Sequence, residues 1–361
     1  LPLNMNSPKS IIDEQIRDSQ VSLIAIIPAS SDQVELKFIK PDENTPQTDE
    51  NDKIQFDDLA YVIFTSGSTG SKKGVAISKT ALNSYSHGIQ TIFDKVFVAN
   101  SVIINGELTF DISLADIIFA LCFKTEICIT SQASDLLSLC SIIKKRNVES
   151  VYAVPSTWEL ILDIENKIDE FSLTGVKNIF VGGEAFTKKL LIKIRERCPF
   201  AKIYNMYGPT EFTINATFFE IKEELLSSDN EIIPIGFPLP GVTTHIKQDS
   251  SPGNTGELYL SGKQLLAGYV NHLNPVSIEN NTAYYPTGDL VRQDQNGVIH
   301  YIGRIRDYEK VSGYRLNIFD IGSAIDNILC EQCKTVIISG KIICIVKLLP
   351  NTKKENTQKL E

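Results

Sequence analysis

The residues best equipped for chemistry fall in three short stretches. The first, residues 61–74, reads YVIFTSGSTGSKKG. An apolar run opens there into Gly67, Gly70 and Gly74, the hydroxyls of Thr65, Ser66, Ser68, Thr69 and Ser71, and the lysines Lys72 and Lys73. Glycines let backbone N–H groups turn toward an anion, hydroxyls add donors and a lysine adds charge, so the stretch reads as a phosphate grip. It is not a Walker A loop, because the residue five after Gly67 is Lys72 rather than glycine. The second stretch, NMYGPTEFT at 205–213, sets the Thr210 hydroxyl and the Glu211 carboxylate after a turn fixed by Pro209. A carboxylate opposite a phosphate loop suits a magnesium nucleotide, since magnesium takes one or two carboxylates together with phosphate oxygens. The third, YYPTGDLV at 284–291, puts Asp289 after a glycine turn, where a carboxylate can accept both hydroxyls of a ribose.

These side chains need a frame, and the hydrophobic pattern supplies one. A short helix is expected over 9–19, a buried strand at VSLIAIIPA, and an exposed acidic loop over 40–53. LAYVIFT reads as a strand running into the glycine loop, and Ser78 as the N-cap of the following helix. From 101 to 205 strands alternate with helices: SVIIN, a helix over 113–122, EICIT, 134–146, SVYAV, 156–164, NIFVGG, 187–197 and AKIYNMYG. That alternation implies βαβ units in a mostly parallel sheet. Ligands of such sheets sit beyond the C-terminal strand ends, where FTSGSTG, FVGGEA and YNMYGPTE all fall, so these segments are expected to converge on one crevice. After 231 turn signals multiply and strands shorten. The expected division is an α/β part of a large domain over 1–230, a β-rich subdomain over 231–303, and a hinge with a small, truncated α+β domain over 304–361.

Composition narrows the partners. With 361 residues and 42% apolar content the chain can bury a sizeable core. A net charge of −9 argues against nucleic acid as a partner. No apolar run reaches the roughly 18 residues of a membrane span. Residue 1 is leucine with no signal-peptide pattern after it, and the seven cysteines are odd in number and scattered, which points to reduced thiols in a cytoplasm. Cys330 and Cys333 form a lone C-x-x-C without the second pair a zinc site needs. His87, His245, His272 and His300 show no ligand or triad spacing and read as structural.

Taken together, YVIFTSGSTGSKKGV, FDIS, NMYGPTE, GELYLSG with LAGYVN, YPTGDLV and YIGRIRDYEKVSGYRLN resemble the adenylate-forming superfamily. The likeness is greatest to the amino-acid adenylation domains of nonribosomal peptide synthetases, with D-alanine–carrier-protein ligases as near relatives. The motifs run in family order over nearly the whole chain. The resemblance implies ATP and Mg²⁺ as cofactors. It places Thr65, Ser66, Gly67, Ser68, Thr69, Gly70 and Lys73 around the phosphates, with Lys73, Thr65 and Glu211 carrying the chemistry and Glu211 holding the metal. Asn205 and Tyr207 would contact adenine opposite the Gly183, Glu184 and Ala185 backbone, with Asp289, Tyr301 and Arg304 at the ribose and hinge. Asp111 of FDIS matches the acid that pairs with the substrate α-ammonium; neither charge tolerates burial unpaired. Ile112, Ala115, Phe180, Gly182, Met206, Ile214 and Asn215 would line the side-chain pocket, implying an uncharged amino acid of small or medium size. Asn215 is the group expected to bond a substrate hydroxyl, in a set somewhat like threonine-type codes.

The implied reaction turns an amino acid and ATP into aminoacyl-AMP and pyrophosphate, then passes the acyl group to a carrier-protein phosphopantetheine thiol. The chain departs from the pattern in several places. Lys72 stands for the usual proline, Arg306 followed by Asp307 for the hinge aspartate, and Asn317 for a glutamate. The family's late N-G-K lysine has no counterpart before Glu361. A cut or naturally degraded domain is therefore expected. The alternatives are a catalytically impaired or non-catalytic adenylation-like domain, and an acyl- or aryl-acid–CoA ligase, against which Asp111 counts.

Overall fold

The computed structural model describes residues 1–3, 7, 9–19, 23–26, 35–38, 58–66, 72–130, 135–165, 172–227, 230–248, 254–305, 308–311, 314–317, 333–338 and 341–346. The acidic loop expected over 40–53, the glycine loop at 67–71 and the C-terminal tail lie outside these residues. In chain order the elements begin with α1 (Lys9–Asp18), β1 (Leu23–Ile26), β2 (Glu35–Phe38), β3 (Leu59–Ser66), β4 (Lys72–Ser78) and α2 (Lys79–Phe93). The alternating region then runs β5 (Ser101–Ile104), α3 (Ile112–Phe123), β6 (Glu126–Ile129), α4 (Leu136–Arg146), β7 (Ser150–Ala153), α5 (Pro155–Glu165), β8 (Asn178–Gly182), α6 (Lys188–Arg197) and β9 (Lys202–Tyr207). Each element expected between 101 and 205 is there, with ends moved by one or two residues. Ser78 caps α2 as its sequence position implies, its hydroxyl accepting from the Ala81 N–H at 3.1 Å.

β5 to β9 form the parallel part of a seven-stranded sheet ordered β11-β10-β9-β8-β7-β5-β6, with β10 (Thr217–Glu220) and β11 (Phe237–Pro238) added antiparallel at one edge. β8 is buried throughout, as an interior parallel strand should be. Ile179 and Val181 on one face join a core with Trp158, Ile161 and Leu191. Phe180, on the other face, meets Phe119 at 4.7 Å and Tyr204 at 5.2 Å in an aromatic cluster that includes Phe93 from α2. The chain leaves β5 toward β6 on one side and continues through β7, β8 and β9 on the other. This reversal is a topological switch point, where such sheets bind ligands beyond their C-terminal strand ends. The loop after β5 carries Asp111, that after β8 carries Gly183, and that after β9 carries Glu211.

One part of the sequence expectation changes. β3 does not belong to the parallel sheet; it forms an antiparallel hairpin with β4, and with β14 (Gly268–Tyr269) makes a separate three-stranded sheet. In that hairpin Thr65 lies opposite Lys73 and Ser66 opposite Lys72. Helix-separated strands and a hairpin look alike in sequence where the intervening turn is glycine-rich.

The remaining strands are β12 (Val242–Gln248), β13 (Thr255–Gly262), β15 (Ser277–Glu279), β16 (Thr282–Gln293) and β17 (Ile299–Arg304), which share one sheet. Two hairpins follow, β18 (Tyr308–Val311) with β19 (Tyr314–Asn317) and β20 (Cys333–Ile338) with β21 (Lys341–Val346). The helix expected among them falls outside the described residues. The chain divides into two compact units, one of residues 1–245, 259–286 and 293–300, the other of 246–258, 287–292 and 301–361. Among the described residues, no helix is long and apolar enough to cross a membrane and no His, Cys, Asp and Glu cluster is arranged to hold a metal.

Candidate active site

In the first unit, the sequence-nominated residues meet around Glu211. It lies on a single 3-10 turn, Thr210–Phe212, which follows Pro209 and β9. The Tyr269 hydroxyl on β14 donates to Glu211 Oε1 at 2.7 Å. Tyr285 is within hydrogen-bonding reach of the same carboxylate and of the Tyr269 hydroxyl. Burial, then the Glu211 charge, pushes both phenols well above the usual tyrosine range, so they remain protonated donors. Lys73 stands over the Tyr269 ring, its ammonium 5.3 Å from the centroid, a cation–π distance. Tyr269 therefore touches both the lysine of the phosphate hairpin and the carboxylate nominated for the metal. Next to it, Asn271 closes the hairpin base, accepting from the Gly74 N–H at 3.1 Å and donating to the Lys72 carbonyl at 2.8 Å.

Asp111 ends the loop after β5, just before α3, and its side chain makes no helix-capping bond. Burial raises its carboxyl to about 6; a hydrogen bond from Thr210 opposes the rise, the Glu211 charge adds to it, and the backbone at Asp111 and Ile112 offers further relief. Among the described residues its buried Oδ2 has no hydrogen-bond partner, and neither does the hydroxyl of Tyr61 on β3, which feels the Asp111 charge. Orphaned buried polar atoms are rare, and several in one place mark a site that a polar ligand completes.

The turn after β9 is under strain. Thr213 and Ile214, both β-branched, adopt left-handed φ values of 54° and 68°. Such conformations cost about 1–3 kcal/mol each and persist only where the surroundings impose them. Gln264, fully buried, imposes them here: its Nε2 donates to the carbonyls of Asn215 at 2.9 Å and Phe212 at 3.3 Å, and its backbone carbonyl accepts from the Thr213 hydroxyl. Gly208 completes the fit, because a Cβ there would lie 2.5 Å from the Ile214 carbonyl. Gln264→Ala is expected to lower stability by roughly 2–4 kcal/mol, since it strands buried carbonyls and frees a strained turn. A denaturant-melt midpoint shift is the check.

The pocket residues named from the sequence assemble at the switch point. Ala115, Phe180, Met206, Ile214 and Asn215 are all buried. Gly182 is required by close approach, since a Cβ would come within 2.5 Å of the Met206 carbonyl and 2.7 Å of Tyr152 Oη. Ile112 reaches the same place: a Cβ on Gly183 would lie 3.2 Å from its Cδ1. Glu184 points elsewhere, accepting from the Ser156 N–H and hydroxyl at 3.0 and 2.9 Å at the start of α5, while Ala185 is half-buried beside it. Asn205 donates to the carbonyls of Ile233 and Pro234 at 3.3 and 2.9 Å, which orients its Oδ1 as an acceptor. Tyr207 is half-buried at the end of β9, its carbonyl accepting from the Ala216 N–H. Of the phosphate loop, Thr65 is half-buried on β3, whereas Gly67, Ser68, Thr69, Gly70 and the Ser66 side chain lie outside what is described.

In the second unit, Asp289 and Arg304 pair directly, Arg304 Nε lying 2.9 Å from Asp289 Oδ1. The Asp289 backbone N–H donates to the Thr287 hydroxyl, which donates to the Leu258 carbonyl at 2.8 Å. Tyr301 sits on β17, half-buried.

The first unit thus holds a parallel sheet with a topological switch point, an acid oxygen with no partner among the described residues and a tyrosine-held glutamate. Residues 2–270 match the family described as AMP-binding enzyme, and the chain belongs to that family. Its similarity lies with adenylation domains of nonribosomal peptide synthetases. The chain is 30% identical over 345 residues, 90% of its length and 4% of the other, to a linear gramicidin synthase polypeptide of Brevibacillus parabrevis. It is 32% identical over 278 residues, 74% of its length and 51% of the other, to the L-proline–[L-prolyl-carrier protein] ligase of Streptomyces coelicolor. It thus spans only a small part of the first relative and about half of the second. Among solved structures, the Vibrio cholerae adenylation domain AlmE in complex with glycyl-adenosine-5'-phosphate superposes with TM-score 0.60 at 26% identity, over 81% of this chain and 59% of that one. PA1221, a protein containing adenylation and PCP domains, superposes with TM-score 0.67 at 20% identity, over 99% and 75%.

The signals for Tyr61, Tyr269 and Tyr285 were present in the motifs themselves. Each is an aromatic with a polar tip beside a recognised segment, and burial of such a residue obliges its hydroxyl to find a partner.

Proposed function

We propose that this chain activates an uncharged α-amino acid with ATP, giving aminoacyl-AMP and pyrophosphate, and hands the acyl group to a carrier-protein phosphopantetheine thiol. The observation that carries this reading is Asp111, a half-buried acid whose Oδ2 is buried with no partner among the described residues. An α-ammonium group answers that atom; a plain carboxylic or aryl acid does not.

In the reaction, an oxygen of the amino-acid carboxylate forms a bond to the α-phosphorus, the bond from that phosphorus to the bridging oxygen breaks, and pyrophosphate leaves. The carboxylate is already ionised at neutral pH, so no general base is required. The chain's contribution is positioning and charge neutralisation. Asp111 fixes the ammonium and so aims the carboxylate. Lys73 and the hairpin donors take the charge that builds on the departing phosphates. Asn205 offers its Oδ1 to the adenine amino group. Asp289, oriented by Arg304, is assigned to the ribose hydroxyls. A hard oxygen ligand held on one side by phenol donors suits Mg²⁺, and Glu211 is the residue that would hold it. Magnesium, when bound, supplies neutralisation of phosphate charge.

Exchange of labelled pyrophosphate into ATP, run over a panel of amino acids with the protein in its full natural length, tests the reading. The expected result is exchange driven by a small or medium uncharged amino acid and by none of the charged ones. No exchange with any amino acid sinks the enzymatic reading in favour of a non-catalytic domain. Exchange driven by an acid lacking the amino group moves the protein to the acyl-CoA ligase class.

A further inference from the structure

The sequence assigns the polar end of the side-chain pocket to Asn215, but the structure shows that carboxamide already engaged at both ends. The hydroxyl of Tyr85, from α2, donates to Asn215 Oδ1 at 3.0 Å, and Asn215 Nδ2 donates to Tyr152 Oη at 2.9 Å. All three side chains are buried. Asn215 is therefore a brace between two tyrosines. The group it braces into the pocket is Tyr152, whose hydroxyl oxygen lies where a Cβ on Gly182 would be 2.7 Å away.

Tyr152 has chemistry left over. Burial pushes its hydroxyl well above the usual range, so it keeps its proton, and among the described residues that proton has no acceptor. Asp116, on α3 and 4% exposed, also has an Oδ2 with no partner among the described residues, but burial pushes its carboxyl well above the usual range, so it stays a neutral acid and supplies no charge. The uncommitted group beside Gly182 is thus the Tyr152 hydroxyl, a donor, and an aliphatic hydroxyl offers it an acceptor. Room is short: the Phe180 ring lies 5.9 Å from the Tyr152 ring and is stacked on Tyr204.

We infer that Tyr152, braced by Asn215, is a specificity-determining residue of this site, and that it selects an α-amino acid whose short side chain carries a hydroxyl. The inference rests on the amino-acid-activating reading above. Tyr152 stands outside the residues nominated for the pocket from the sequence, because it lies on β7, which carries none of them, and reads there as an ordinary core aromatic.

Calorimetric binding of non-hydrolysable aminoacyl-sulfamoyl adenosines tests this without requiring turnover. The seryl and threonyl compounds are compared with the alanyl and valyl ones, which lack only the hydroxyl. The unmodified protein is expected to bind the hydroxyl members at least roughly tenfold more tightly, because the buried Tyr152 donor is otherwise left unpaired. Tyr152→Phe keeps the ring and is expected to bring the ratio to within about twofold. Equal affinity for both members in the unmodified protein, or an unchanged ratio in Tyr152→Phe, overturns the inference while leaving amino-acid activation standing. Failure of every compound to bind overturns the activation reading itself. Should Tyr152→Phe not fold, judged by its melting curve, the ranking shown by the unmodified protein still decides.

Discussion

Asp111→Asn is expected to reduce amino-acid-dependent pyrophosphate exchange by several hundred- to several thousand-fold, measured as kcat/KM for the amino acid, with the KM for ATP within about threefold of the original. Breaking a buried ion pair from one side costs roughly 3–5 kcal/mol, because the remaining charge stays buried without its partner. On the proposed function that charge is the substrate ammonium. Asparagine matches aspartate in shape, so the loss reports charge rather than packing.

The same replacement carries a second, opposite expectation. Burial raises the Asp111 carboxyl to about 6 in the folded protein, from the ordinary aspartate value it has when unfolded. An acid whose folded value is raised favours the folded state only while protonated. Its stabilising contribution is complete below the unfolded value and is lost as pH rises through about 6. At neutral pH the ionised Asp111 is thus a burden on the protein free of amino acid, nucleotide and magnesium. Asp111→Asn is expected to raise the melting temperature by several degrees at pH 7.5, with the gain shrinking to nothing near pH 4. A variant that loses activity and gains stability marks an acid retained for its ligand; a destabilised variant would show Asp111 to be a structural acid.

Glu211→Gln has the second largest expected effect. The magnesium concentration for half-maximal exchange should rise more than tenfold and kcat fall by about two orders of magnitude, as for loss of one preorganised electrostatic group. Glutamine still accepts from Tyr269, so the fold is expected to hold. Tyr269→Phe separates charge from orientation. It leaves the carboxylate in place but removes the 2.7 Å bond that aims it, so a fall of roughly tenfold is expected, with a smaller change in magnesium dependence. Equal magnesium dependence for Glu211→Gln and the unmodified protein would remove Glu211 as the metal-holding residue.

Much of this was legible in the sequence where local rules govern. The helices over 101–205, the Ser78 cap and the parallel strands follow from hydrophobic period and capping chemistry, which act over a few residues. The loops after β8 and β9 were readable as candidate ligand segments because a strand running into glycine or proline before a helix has few ways to fold. The hairpin of β3 and β4 was less so. Its pairing partner β14 lies some 190 residues away in the chain, and sheet membership is a non-local property.

What the sequence by itself determined is therefore the order of elements and the identity of the charged groups: Lys73, Asp111, Glu211 and Asp289 stand in motifs that resemble those of the adenylate-forming family. What only the tertiary structure decided is which polar atoms meet and which are left over. Tyr85 and Asn215 are separated by 130 positions, and Tyr152 and Asn215 by 63. Nothing in periodicity distinguishes a core tyrosine from one whose hydroxyl enters a pocket. Burial is written in the hydrophobic pattern, but hydrogen-bond partnership is settled only when distant strands and helices close on one another. In this protein that closure makes Asn215 a brace between Tyr85 and Tyr152.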